Sequence, residues 1–341
     1  MYSFKSDYSE GAHPNILNSL LKSNLVQEIG YGLDTHSINA KELIRKAIGN
    51  PEAGIYFMSG GTQTNLIVIS HVLRPYEAVI SASSGHINTN ETGAIESIGH
   101  RVISIDAPDG KLCVSDIENV IASHGNVPHV VKPKMVYVSN PTELGTIYSK
   151  EELSSLSQFC KDNGMYFYLD GARLGHALTA NGNDLSLEEL SALVDIFYIG
   201  ATKNGGLLGE ATVFNNLELA RDFDFSVKQK GALLAKGRLL GIQFEELFKN
   251  DLYFKLAKHA NEMAGKITNE VMRLGYHFLA SSPTNQLFPI LPKSLIEKLS
   301  KKYDFYIWKD IDKDNAAIRL ITSWNTDESK VDAFISDLQN L

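Results

Sequence analysis

The chain has 341 residues, of which 43% are hydrophobic and 21% charged, with a formal net charge of −8. That is the composition of a soluble globular protein long enough to divide into a major and a minor domain. The acidic balance and the lack of a clustered basic patch exclude a nucleic-acid footprint, and no apolar run of about 18 residues is present to span a membrane.

The first residues, MYSFKSDYSEGAHPNIL, lack the basic-then-apolar pattern of a signal peptide, so a cytoplasmic location is expected. His13-Pro14 opens a helix to about Leu25. The GYGLDTHS turn at Gly30–Ser37 leads into a second helix, to about Ile48. The turn is not a dinucleotide fingerprint, because Thr35 replaces the third glycine and no strand precedes it.

From Gly54 a regular alternation sets in. Strand-like runs fall at 54–58, 77–81, 101–105, 134–138, 165–169, 195–199 and 210–214, rich in β-branched and aromatic residues, with helical segments between most of them. Ser115 with Glu118 and Ser149 with Glu152 read as capping boxes, and Gly125 and Gly164 as helix stops. This alternation predicts an α/β fold, a mainly parallel seven-stranded sheet with helices on both faces. Cys113 and Cys160 stand in separate elements without metal-ligand spacing and read as free thiols; the Asn90-Glu-Thr sequon carries no meaning without a secretory signal.

After Asn215 the pattern changes. A basic segment at 227–241 leads into a long helix at about 251–274. A strand at Gln286–Leu291, a helix at Lys293–Lys302, a strand at Ala317–Thr322 and a helix at Glu328–Leu338 follow. The expected division is an arm at 1–30 packing with the smaller domain, a large domain at 31–240 and an α+β domain at 241–341.

Three stretches carry chemistry. Ser59-Gly-Gly-Thr-Gln-Thr-Asn65 lies between a strand and a helix, where backbone N–H groups and the helix N-terminus suit a phosphate; the same residues also suit a plain tight turn. Asp170-Gly-Ala-Arg173 follows one strand and Ala201-Thr-Lys203 the next, which brings an Asp, an Arg and a Lys to one rim of the sheet. A lysine that forms a Schiff base, a carboxylate for a pyridinium nitrogen and a phosphate cradle are the demands of pyridoxal phosphate (PLP). Ser84-Gly-His86 falls on the same rim, where His86 is either a ring-stacking residue or an ordinary loop histidine. Arg319, in the apolar run AAIRLIT, calls for an anion. No H-E-x-x-H, C-x-x-C or G-x-S-x-G is present, so no metal site or hydrolase triad is expected.

Ser6-Asp7, Gly61-Thr62-Gln63-x-Asn65, His86, Asp170-Gly-Ala-Arg173, Thr202-Lys203 and Arg319-Leu-Ile-Thr, in this order along nearly the whole chain, resemble the threonine aldolase and β-eliminating lyase family. These are PLP-dependent lyases of the aspartate-aminotransferase fold. The resemblance implies cleavage of L-threonine or L-allo-threonine to glycine and acetaldehyde. It assigns Lys203 to the Schiff base, Asp170 to the pyridinium nitrogen, His86 to ring stacking and Gly61 with Thr62 to the phosphate. Ser6, Arg173 and Arg319 would grip the substrate carboxylate.

The resemblance also implies a homo-oligomer, a dimer or a tetramer built from dimers, with Lys230 or Lys236 a candidate to reach a neighbour's phosphate. In one stretch the chain departs from the family. Asn140-Pro-Thr-Glu-Leu-Gly145 lacks the histidine that ordinary low-specificity threonine aldolases carry there. The base for the substrate hydroxyl is therefore open among Glu143, His86 and a held water. β-Elimination, action on another β-hydroxy amino acid, and a non-catalytic PLP-fold protein are the competing readings.

Overall fold

The computed structural model describes residues 1–340. The seven apolar runs form one sheet: β1 Gly54–Met58, β2 Glu77–Ala82, β3 Arg101–Ile105, β4 Lys132–Ser139, β5 Tyr166–Asp170, β6 Ile196–Gly200 and β7 Glu210–Phe214. Their order across the sheet is β1-β7-β6-β5-β4-β2-β3. Strands β2 to β6 are parallel, and β7 is antiparallel to both of its neighbours, β6 and β1. Six strands thus end on one rim, while β7 begins there. The cause is local: residues 201–209 turn the chain straight back, whereas a parallel return needs a helical crossover.

Every residue of β2, β6 and β7 is buried, as expected of strands covered on both faces. Successive side chains point to opposite faces. Val136, Val138, Phe167, Leu169, Phe197 and Ile199 therefore enter one core, and Tyr137, Tyr168 and Tyr198 enter another. The first is covered in part by the helices Thr35–Ala47 and Arg238–Phe248, the second by Gly61–Val72 and Phe223–Gln229.

A second, antiparallel sheet follows the long helix Leu252–Arg273. Its strands are β8 His277–Phe278, β9 Gln286–Leu287, β10 Pro289–Pro292, β11 Tyr306–Asp310 and β12 Asn315–Ile321, with β12 paired to β9, β10 and β11. Helices Leu252–Arg273 and Glu328–Asn340 cover it through Met263, Ile267, Val271, Val331 and Phe334. The amino terminus joins this body: Tyr2–Ser3 runs parallel to Tyr303–Asp304, and Phe4 is fully buried in its core. Ile16, on the helix Pro14–Ser23, enters the larger core instead, as do Phe244 and Leu247.

Capping explains several helix starts. Ser149 and Glu152 form the expected reciprocal box, and Ser186 with Glu189 forms another. The expected box at Ser115 and Glu118 is displaced. That helix starts at Val114, and the Asp116 carboxylate accepts the Cys113 N–H at 2.8 Å. Asp116 stands three residues past Cys113, the spacing a box requires, so Asp116 fixes the start and the serine lies inside. Cys113 is exposed at this cap and Cys160 is buried in the core.

Candidate active site

A cleft of about 540 Å³ opens at the rim where the parallel strands end. Asp170 is the last residue of β5 and pairs in register with Ser139, the last of β4. Lys203 lies three residues past the end of β6. Glu210, the first residue of β7, sits opposite Gly200 on one side and Met58 on the other. The antiparallel course of β7 thus brings a fourth charged side chain to the rim.

Two backbone approaches fix the loops there. A Cβ on Gly171 would lie 1.9 Å from the Tyr198 carbonyl oxygen, and one on Gly200 would lie 2.3 Å from that of Ala172. Gly200 N–H donates to the Gly171 carbonyl at 3.0 Å. Glycine is required at both positions for the Asp170–Arg173 loop to lie against β6.

Asp170 is buried and heavily bonded. Its Oδ2 accepts from the Tyr137 hydroxyl and, at 3.4 Å, from Asn65 Nδ2; its Oδ1 accepts the Ala172 N–H at 3.0 Å. Asn65 in turn accepts from the Tyr168 hydroxyl at 2.7 Å and donates to Glu91 at 2.7 Å. Burial and the Asp170 charge push the Tyr137 hydroxyl far above its ordinary range, so it remains a donor.

Lys203 lines the cleft, and its Nζ has no hydrogen-bond partner among the described residues. Burial and the nearby Arg173 lower its pKa, against the pull of Asp7, Asp170 and Glu210. Burial raises that of Glu210, against the pull of Lys203. Glu210 Oε1 accepts from the Thr202 hydroxyl at 3.2 Å, and its Oε2 is buried without a partner.

The Ser59–Thr62 turn opens on the same cleft. Helix Gly61–Val72 starts there with Gly60 as its cap residue. The N–H groups of Gly61, Thr62 and Gln63 have no acceptor among the described residues, as the first turn of a helix leaves them. A Cβ at Gly60 would meet nothing within 4 Å. Thr62 also lines the cleft.

His86 is held on two sides. Its N–H donates to Glu143 Oε1 at 2.9 Å, and its ring Nδ1 bonds the buried Glu91 carboxylate at 2.8 Å. Glu143 also accepts from the Ser139 hydroxyl at 2.8 Å. Burial and the neighbouring Asp170 raise the Glu143 pKa.

Both arginines line the cleft. Arg173 is clamped by Asp7, with Nε donating to Oδ2 at 2.6 Å and Nη2 to Oδ1 at 3.0 Å. Arg319 donates Nη2 to Gln286 at 3.2 Å and lies 5.4 Å from the centre of the Trp308 ring. Its Nε is buried without a partner. Burial and Arg173 push its pKa down to about 10, which leaves it cationic at neutral pH. Ser6 is not among the lining residues; its hydroxyl bonds that of Ser9 at 2.9 Å, and Tyr8 reaches the cleft from that segment. Lys230 and Lys236 do not line it either.

The structure therefore brings Lys203, His86, Glu143, Gly61, Thr62, Asp170, Arg173 and Arg319 to one cleft. The sequence reasoning missed roles for Asp7, Glu91 and Glu210, each a buried acid placed against a functional group.

The β-eliminating lyase family model matches residues 4–292. A low specificity L-threonine aldolase from a Pseudomonas species is 30% identical over 340 residues, 98% of this chain and 96% of that protein. The solved structure of a Leishmania major threonine aldolase superposes with a TM-score of 0.98 at 46% identity, covering 100% of this chain and 99% of the other. An aspartate aminotransferase of Thermus thermophilus, 13% identical, shares the fold with a TM-score of 0.73 and covers 100% of this chain and 91% of its own. With the rim of Asp170, Arg173 and Lys203 built on that fold, the chain belongs to the β-eliminating lyase family and is a lyase of the aspartate-aminotransferase fold.

Proposed function

We propose that this chain cleaves L-threonine and L-allo-threonine between Cα and Cβ, giving glycine and acetaldehyde, with PLP held in the cleft. One observation carries the reading: an unpaired amine, a fully bonded carboxylate and an open helix N-terminus meet there, at Lys203, Asp170 and Gly61. The donor set fits that group. Lys203 would attach it through Nζ, and Asp170, fixed by Tyr137 and Ala172, would hold its ring nitrogen. The free first-turn N–H groups at Gly61 and Thr62 would take its phosphate, beside a Gly60 whose missing Cβ leaves the space open. When bound, the group supplies an electron sink for the bond that breaks at Cα.

The remaining residues handle substrate and protons. Arg173, held in orientation by Asp7, and Arg319, with an unpaired Nε, would bind the substrate carboxylate. His86, its ring fixed by Glu91, is the residue to pack against the cofactor ring. Glu143, raised by burial, is suited to accept the β-hydroxyl proton on its carboxylate where the family's histidine is missing.

The active form in this reading is a homo-oligomer in the cytoplasm. The exposed apolar side chains Leu17, Leu21, Leu25, Val26, Ile29, Tyr31 and Leu33, concentrated in one segment, support association with a second copy. Ser6, and Lys230 or Lys236, keep their expected roles as contributors from outside the cleft as it stands in one chain.

Lys203→Ala tests the reading. The variant is expected to lose both the visible absorbance of bound cofactor and acetaldehyde release from threonine. Retention of either would overturn it.

A further inference from the structure

Gln286 has no part in the reading so far, yet its side chain joins two walls of the cleft. It is 1% exposed, lines the cleft and opens β9, where it stands opposite Ile321 of β12. Arg319 lies two residues before Ile321, so its side chain leaves the same face of the sheet as that of Gln286, one diagonal step away. Arg319 Nη2 donates to Gln286 Oε1 at 3.2 Å, and Gln286 Nε2 donates to the Thr142 carbonyl at 3.3 Å. Thr142 belongs to the loop that also carries Glu143, and both residues line the cleft. That loop is fastened to the segment before β9: the hydroxyls of Ser282 and Thr284 donate to the Gly145 carbonyl at 3.1 and 3.2 Å. Gly145 has φ +78°, and a Cβ there would lie 2.9 Å from the Gln286 carbonyl oxygen, so the close approach requires glycine.

The chemistry of the two partners dictates the residue between them. A guanidinium only donates and a peptide carbonyl only accepts, so the link needs an acceptor and a donor on one side chain. An ionised Glu cannot donate and a Lys cannot accept; a primary amide does both, and its two partners fix which way round it lies. The amide is also neutral. Arg173 has its charge met by Asp7, whereas Arg319 forms no ion pair among the described residues and keeps a buried Nε without a partner. A buried cation held by a neutral acceptor retains its unmet charge, which calls for an anion in the cleft.

We propose that Gln286 is the positioning residue for the substrate carboxylate: anchored on the Thr142 carbonyl, it sets the plane of the Arg319 guanidinium and leaves the arginine charge free for an α-carboxylate. Arg319 Nε, unpartnered within the chain, is then presented to a carboxylate oxygen while Nη2 stays tethered at the amide. Because the anchor lies on the loop of Glu143, the grip on one end of the substrate is built from the same loop as the group placed at the other. Amines that carry a carboxylate on the neighbouring carbon are thereby preferred over amines that carry none.

This proposal rests on Arg319 being a carboxylate grip, and the test separates the two ideas. Two probes that capture PLP through the same aminooxy group are compared on the holoenzyme: aminooxyacetate, with a carboxylate, and methoxyamine, without one. Loss of the cofactor's visible absorbance gives both rates, and their ratio reads the carboxylate preference. Gln286→Met keeps the length and removes both hydrogen bonds; it is expected to lower the ratio about tenfold, as loss of one charge-assisted bond would. Gln286→Glu sets against Arg319 a carboxylate that competes with the probe's own, and is expected to lower the ratio at least as far. A residue that serves packing alone would slow both probes alike and leave the ratio unmoved. A wild-type ratio in either Gln286 variant therefore overturns the proposal, and should one variant fail to fold, the other decides alone. A wild-type ratio in Arg319→Gln would instead overturn the carboxylate-grip reading beneath it.

Discussion

Replacing Asp7 by Asn tests how the substrate end of the cleft is held. Asp7 is fully buried and takes three donors: Arg173 Nε at 2.6 Å, Arg173 Nη2 at 3.0 Å and Asn285 Nδ2 at 2.9 Å. Burial alone would raise its pKa, but the charge and hydrogen bonds of Arg173, with help from Lys203 and His176, more than reverse this and hold it well below 3.8. Asn keeps the shape and removes the charge, stranding the Arg173 cation. Breaking a buried pair from one side costs about 3–5 kcal/mol. Coulomb's law at an effective dielectric constant of about 20 gives about 4 kcal/mol at contact distance. Asp7→Asn is therefore expected to lose about 4 kcal/mol, close to a thousandfold in the folding equilibrium.

Urea unfolding of the cofactor-free protein at neutral pH reads this as a lower midpoint. Because the folded pKa is depressed, the contribution is whole above the unfolded value and fades only as pH falls below about 4, through the folded value. The wild-type advantage should thus be as large near pH 5 as near pH 7. A loss below about 1 kcal/mol, or an advantage already shrinking between those two pH values, would refute the idea that this pair holds Arg173.

Two more predictions follow from other buried groups. Glu143→Gln should keep the visible absorbance of bound cofactor and a near-normal KM for threonine while kcat falls by about a hundredfold or more; a kcat within twofold of wild type would remove Glu143 as the proton acceptor. His176 is fully buried with neither ring nitrogen partnered, and burial pushes its pKa down to about 4 from 6.5. The unfolded chain then binds the proton first, so stability falls as pH drops from 6.5 toward 4, by about 3 kcal/mol in all. His176→Gln should flatten that part of the profile in urea midpoints; an unchanged slope would show that other groups set it.

How much could be read beforehand depended on where each residue stands in the chain relative to its strand. Asp170 and Lys203 were legible because each closely follows an apolar strand running toward the rim. Glu210 was not: it opens its strand, and only the reversal of β7 turns a strand start into a rim position. Asp7 was hidden because Arg173, its partner, lies 166 residues away. Ser6 stood out in the motif, yet in one chain Asp7 and Tyr8 are the neighbours that meet the site. In the second sheet, β11 is exposed at every residue and β8 has two residues, so neither shows the half-buried alternation that marks a strand.

The backbone contact between the Asp170 loop and β6 has a mechanical consequence. With Gly171 and Gly200 in mutual contact, the segments bearing Asp170, Arg173 and Lys203 have no slack between them and move as a single part. Tyr8 and Trp308, which also line the cleft, are instead exposed to solvent. The spacing of amine and carboxylate is thus set by the backbone itself at folding, before any ligand is bound.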